Sequence, residues 1–155
     1  MRNDCKGVLR ITHYALRIYF MAFFDWDDKY RVGIPSIDQQ HQKLFELISH
    51  FYEKIRQKDT KGAMSETLQG LVEYAGYHFA TEERYMQKYQ YPMYVQHAAQ
   101  HREFVKKVTD LQTRFQSGAL VIAIEVADFL KDWLSKHILG EDQKFGPFFQ
   151  EKGLK

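Results

Sequence analysis

The sequence predicts an all-α fold, an up-down-up-down antiparallel four-helix bundle preceded by an N-terminal aromatic arm. Three observations predict it. Apolar residues recur at steps of three and four over four long stretches, the spacing of one face of an α-helix. The links between those stretches are short, which makes consecutive helices antiparallel neighbours. Only three prolines and nine glycines interrupt 155 residues, so little breaks the periodicity.

The first helix is expected from about Ile37 to Gln57, with Ile37, His41, Leu44, Ile48, Phe51 and Ile55 in one stripe. Pro35, Ser36 and Asp38 supply its start signals. The second is expected from about Lys61 to Lys88, with Leu68, Leu71, Ala75, His78, Glu82 and Tyr85 on its stripe. The third runs from about Met93 to Gln116 and lines up Tyr94, His97, His101, Phe104, Val108, Leu111 and Phe115. The fourth runs from about Ala119 to Leu139, with Leu120, Ala123, Ala127, Leu130, Leu134 and His137, and Gly140 can end it. The links read "RQKDTKG", "YQYP" and "SGA". Residues 22–36, "AFFDWDDKYRVGIPS", form the arm, and the tail "FGPFFQEKGLK" reads as too short for more than a turn of packing. The expected organisation is an extension over residues 1–21, a bundle domain over 22–150 and a tail over 151–155, with no internal repeat.

Composition limits the partners. Hydrophobic residues make up 45% and charged residues 27%, as in a globular domain large enough to bury a core. The net charge of +2 is too small to argue for nucleic acid, and it is uneven: residues 1–20 carry +3 and the rest −1. The single cysteine, Cys5, allows no intrachain disulfide, and a reducing cytoplasm is the simplest setting. No run of about 18 apolar residues is present, so no transmembrane helix is expected. In the extension, Arg10, His13 and Arg17 interrupt any apolar stretch of signal-peptide type, and no small-residue cleavage site follows. A basic amphipathic segment of this kind could make only weak contact with a membrane surface. Met21 directly precedes the part that patterns well, so residues 1–20 read as an extension outside the core.

Polar residues fall where a core should be. His41, His78, Glu82, His97, His101 and His137 all lie on inward stripes. A single histidine there is ordinarily a satisfied core residue, since one good partner suffices. Five with a carboxylate are different, because each needs a partner among few other polar groups. In an up-down-up-down bundle their positions along the helices all come to the same end, in a slab on the order of 10 Å thick at the rise of an α-helix. Two i,i+4 pairs, His78 with Glu82 and His97 with His101, face each other across the turn at Pro92. This convergence argues for a metal site in the bundle. Asp142, five residues after His137, is a further candidate, and Glu141 at i+4 competes with it. The spacing of five misses the regular face, so the helix is expected to end or tighten there. Glu83 competes with Glu82 but falls off the stripe and reads as solvated, while His50 and His13 read as non-ligands.

Five imidazoles and two carboxylates exceed what one tetrahedral zinc ion takes. Two octahedral metals sharing two carboxylates and one bridging oxygen would leave six positions. Five histidines fill all but one, and that open position is where a small ligand would bind. Imidazole suits several transition metals, so the donor set does not choose iron by itself.

At this point the residues resemble the hemerythrin family, specifically its single-domain bacterial members. The resemblance rests on His41 in "IDQQH", His78 and Glu82 in "HFATEE", His97 and His101 in "HAAQH", His137 and Asp142 in "HILGED", and the lead-in "WDDKYRVGIPSIDQQH". It covers about Phe24 to Phe149, and residues 1–20 have no counterpart in it. It implies a non-haem di-iron centre, two iron ions per chain with an oxo or hydroxo bridge, that binds O2 reversibly. One iron would take His97, His101 and His137. The other would take His41 and His78 and keep the open position, and Glu82 and Asp142 would bridge. Oxygen would bind end-on as a hydroperoxide, its proton coming from the bridging hydroxide.

A histidine-rich site with only two carboxylates stays cationic, which favours binding over onward oxygen chemistry. Leu44, Phe79, Trp133, Leu134 and Ile138 could sheath it, and ordinary core packing explains them equally well. The expected role is oxygen storage, carriage or delivery, with O2 as ligand and an oxygen-consuming enzyme as a candidate recipient. The competing roles are a di-iron enzyme acting on peroxide or nitric oxide, an oxygen or iron sensor, and a metal store or structural zinc bundle. No further acid lies on a stripe to serve as a proton donor, which weighs against the enzyme.

Overall fold

The computed structural model describes residues 25–119, 121 and 123–154. The extension, with its membrane-contact expectation, and Leu120 of the fourth stripe lie outside the described residues. Among the described residues the fold is all helical. A 3-10 turn at Asp28–Tyr30 leads into α1 (Pro35–Arg56), α2 (Thr60–Lys88) and α3 (Tyr94–Gln116). The last limb begins as α4 (Ala123–Asp132), widens into a π-helical segment (Trp133–Asp142) and resumes as α5 (Gln143–Glu151).

Local chemistry explains the boundaries. Pro35 opens α1 at a position where a missing N–H costs nothing. Asp38 caps the arm rather than the helix: its carboxylate accepts from the backbone N–H of Val32 at 2.8 Å and Gly33 at 3.2 Å. Gly33 turns there with φ +78°, where a side chain would be strained. Asp59 caps α2, accepting from Gly62 N at 2.9 Å.

The fourth limb corrects two sequence expectations. The helix neither ends at Gly140 nor tightens there. It widens, and i→i+5 bonding brings residues five apart onto one face, so His137 and Asp142 both turn inward. Ser135 supports the change of winding, donating its hydroxyl to the carbonyls of Lys131 at 2.8 Å and Asp132 at 3.3 Å. The tail is also more than a turn of packing. Phe145 and Phe149 of α5 are fully buried, each contributing about 1.5–3 kcal/mol by leaving water.

The core has two parts. The larger includes Leu44, Ile48, Phe51, Leu68, Leu71, Phe79, Phe104, Leu130, Leu134 and Ile138. The smaller closes one end with Val32, Ile34, Ile37, Met86, Tyr91, Phe145 and Phe149. The arm is pinned over that end, where Gln143 donates to Arg31 O at 3.1 Å and Gln150 to Gly33 O at 3.2 Å.

Candidate metal centre

All seven polar residues singled out in the sequence fall in the seam between the two clusters. His41 lies between Ile37 of the small cluster and Leu44 of the large one, and His78 and Glu82 lie between Phe79 and Met86 in the same sense. His137 and Asp142 sit between Leu134 and Phe145. All seven are at most 2% exposed. Their donor atoms form two groups, Glu82 with His97, His101 and His137, and Glu82 with His41, His78 and Asp142, each within 4.8 Å.

The carboxylates divide their oxygens between the two sides. Glu82 Oε2 faces His97 Nε2 at 3.3 Å and His101 Nε2 at 3.1 Å, while Oε1 faces His78 at 3.5 Å and His41 at 3.9 Å. Asp142 Oδ1 faces His97 at 3.3 Å and His137 at 3.1 Å, and Oδ2 faces His41 at 3.2 Å. Despite these distances, Nε2 of His41, His78, His101 and His137, Glu82 Oε1 and both Asp142 oxygens make no hydrogen bond of good geometry. So many orphaned buried polar atoms would be costly as a resting core. They converge on shared space, as atoms that ligate cations do, and imidazole with carboxylate suits a transition metal.

Three imidazoles are locked in orientation. His78 donates from Nδ1 to Gln40 Oε1 at 2.9 Å, His101 to Glu83 Oε1 at 2.9 Å and His137 to Gln100 Oε1 at 2.8 Å. An oxygen of this kind accepts, so Nδ1 carries the hydrogen and Nε2 presents its lone pair inward. An aromatic ring stacks on each: Tyr74 on His78, Phe79 on His101 and Trp133 on His137, with centroids 4.7, 4.0 and 3.8 Å apart. The pattern runs around the bundle, each acceptor standing one helix before the histidine it serves. His41 has no Nδ1 partner among the described residues.

Glu83 is thereby corrected from a solvated carboxylate to a partner of His101. Gln40, Gln100 and Tyr74 were missed in the sequence. Each acceptor adjoins a ligand candidate in the chain, Gln40 before His41, Gln100 before His101 and Glu83 after Glu82. A residue one step off the inward stripe faces the neighbouring helix, and that is the signal that was available. Of the residues expected as a sheath, Leu44, Phe79, Trp133, Leu134 and Ile138 are all buried in the larger core, and Phe79 and Trp133 lie directly on candidate ligands. His50 lies on the surface and pairs with Glu66 at 2.8 Å.

The electrostatics sort the rings. Burial pulls His78 down to about 3, against the opposing charge of Glu82. Burial also lowers His137. For His97, burial is outweighed by Asp142 and Glu82, which hold it up at about 9. His41 is likewise raised, burial losing to Asp142, Glu82 and Asp38. Both carboxylates sit below their ordinary range. Burial opposes this in each, and so does Asp142 for Glu82, but the surrounding imidazoles prevail.

A family model described as the hemerythrin HHE cation binding domain matches residues 32–149. A bacteriohemerythrin of Stenotrophomonas maltophilia is 35% identical over 125 residues, covering 81% of this chain and 80% of its own length. A myohemerythrin of Riftia pachyptila is 33% identical over 120 residues, covering 77% and 88%. A crystal structure of wild-type hemerythrin superposes with a TM-score of 0.72 at 27% identity, over 79% of this chain and 95% of that one.

Proposed function

This chain belongs to the hemerythrin family, and from that premise we propose that it holds two irons and binds O2 reversibly, for storage, carriage or delivery. His97, His101 and His137 would hold one iron, His41 and His78 the other, and Glu82 and Asp142 would be shared between them. The observation that carries this reading is the division of oxygens: each carboxylate directs one oxygen to each group of histidines. When bound, the iron pair supplies the electrons that a dioxygen molecule takes up on binding and returns on release.

The chain supplies the rest. Three imidazoles on one side against two on the other leave one position on the His41 and His78 side without a protein donor. Leu44, Leu134 and Ile138, all fully buried, keep water from the seam. Gln40, Glu83 and Gln100 aim the rings. A carrier rather than an enzyme is supported by the donor set, five imidazoles to two carboxylates, which keeps the site cationic. Buried polar groups beyond the seven include Thr67, the Tyr74 hydroxyl and Asp38, whose carboxylate is engaged by arm backbone. Cytoplasmic residence is part of the proposal and rests on cysteine usage.

The test is cyclic. The iron-loaded protein is reduced without oxygen, exposed to it and then purged, with visible spectra taken throughout. A charge-transfer band that appears and vanishes over repeated cycles, with two irons per chain, is the expected result. Steady irreversible oxidation with turnover, or a single metal or mainly zinc per chain, overturns the proposal.

A further inference from the structure

The three Nδ1 acceptors are not alike. Gln40 behind His78 and Gln100 behind His137 are neutral amides, whereas Glu83 behind His101 is a carboxylate at 2.9 Å. A carboxylate draws on the ring hydrogen and adds a full negative charge, so the opposite nitrogen becomes a stronger donor to a cation than an amide would make it. On the reading of an iron pair above, we propose that Glu83 is a positioning residue that, through His101, makes the iron of His97, His101 and His137 the one oxidised first. On the other side Gln40 behind His78 is neutral and His41 has no Nδ1 partner among the described residues, while the Asp38 carboxylate acts on His41 only through space and is engaged by the Val32 and Gly33 N–H groups.

The surroundings let this charge be felt. His101 is 2% exposed, so the field along the ring is little screened. The Glu83 side chain is 30% exposed, which weakens its charge without removing it. Arg102 and Lys106 line the same surface groove between α2 and α3, yet the ion pair of Glu83 is with His101. Phe79 lies flat on the His101 ring, centroids 4.0 Å apart and planes 6° apart, so the ring stays in place when its acceptor changes charge.

The test is a redox titration of the iron-loaded full chain, reading the two one-electron steps separately. Glu83→Gln keeps an acceptor of the same shape. It is expected to retain two irons and raise the first step, changing the reduced-to-oxidised ratio at a fixed potential about tenfold, about 59 mV for one electron. The first step moves more than the second, so the two approach each other. Gln100→Glu adds charge to the same side and moves them apart. Gln40→Glu adds charge behind the other iron and brings them together, although its charge change is opposite to that of Glu83→Gln. Steps that shift in parallel with overall charge, or do not shift, overturn the inference. Should Glu83→Gln shed iron, the Gln100→Glu and Gln40→Glu pair decides in the same way. A wild-type chain that loads only one metal overturns the iron-pair reading and this inference with it. Two irons with unmoved separation overturn this inference alone.

Discussion

Glu82 and Glu83 are adjacent, and an α-helix turns about 100° per residue, so they face different neighbours. Glu82 is fully buried among four imidazoles, while Glu83 reaches sideways to His101 from the groove. On the proposed assignment Glu82→Gln removes a charged bridge, and it is expected to abolish the di-iron spectrum and most of the bound iron, measured as iron per chain. His78→Ala is expected to lose iron more severely than His137→Ala, because His78 belongs to the side with two imidazoles. Equal iron loss in both would count against the division of ligands. Protons compete with metal for the same nitrogens. In the metal-free protein His97 keeps its proton up to about pH 9, above the ordinary value near 6.5. Its charge therefore stabilises the metal-free fold fully below about pH 6.5, and that contribution is lost as pH rises through 9. Metal loading has the opposite sign. At pH 7 it displaces the His97 proton, so apparent affinity should rise with pH and level off above about 9. Calorimetry with cobalt in two buffers of different ionisation enthalpy should show a proton release at pH 7 that shrinks towards pH 10.

At the scale of the element, the π-helical segment decides the fourth limb. His137 in its middle and Asp142 at its end reach one site only because the winding is wide. Gly140 is not what permits it, since an added Cβ would meet nothing nearer than Ser135 O at 4.0 Å. Gly140→Ala should leave iron binding intact and gain up to about 1 kcal/mol of stability from helix propensity. Gly146 is the glycine that α5 needs. A Cβ there would run into the carbonyl of Val32, a backbone atom of the pinned arm. Gly146→Ala should cost about 1–3 kcal/mol, and denaturant midpoints of the two variants should move in opposite directions.

At the scale of the whole molecule, the site is held by closure from both ends. The bundle body packs on one side of the seam, and the arm with α5 seals the other. All ligand candidates lie well after the extension. Deleting residues 1–20 should leave iron per chain and the oxygenated spectrum unchanged. Loss of iron on that truncation would show that the extension belongs to the fold.

The sequence by itself determined the bundle, the bounds of its first three helices to within a few residues, and the six candidate ligands that lie on inward stripes. Each of these is a matter of period: apolar steps of three and four define a face, and polar residues on that face must meet one another. Tertiary structure decided what period cannot carry. Whether His137 and Asp142 share a face depends on local winding, and the spacing of five was equally readable as a helix end. Whether Phe145 and Phe149 pack depends on the arm, over a hundred residues away in the chain, offering them Val32 and Ile34. Glu83, Gln40 and Gln100 lie one step off their stripes, where one residue faces solvent and another a neighbouring helix. Only the rotation of each helix against the next distinguishes them, and that rotation is set by how the two cores fill space.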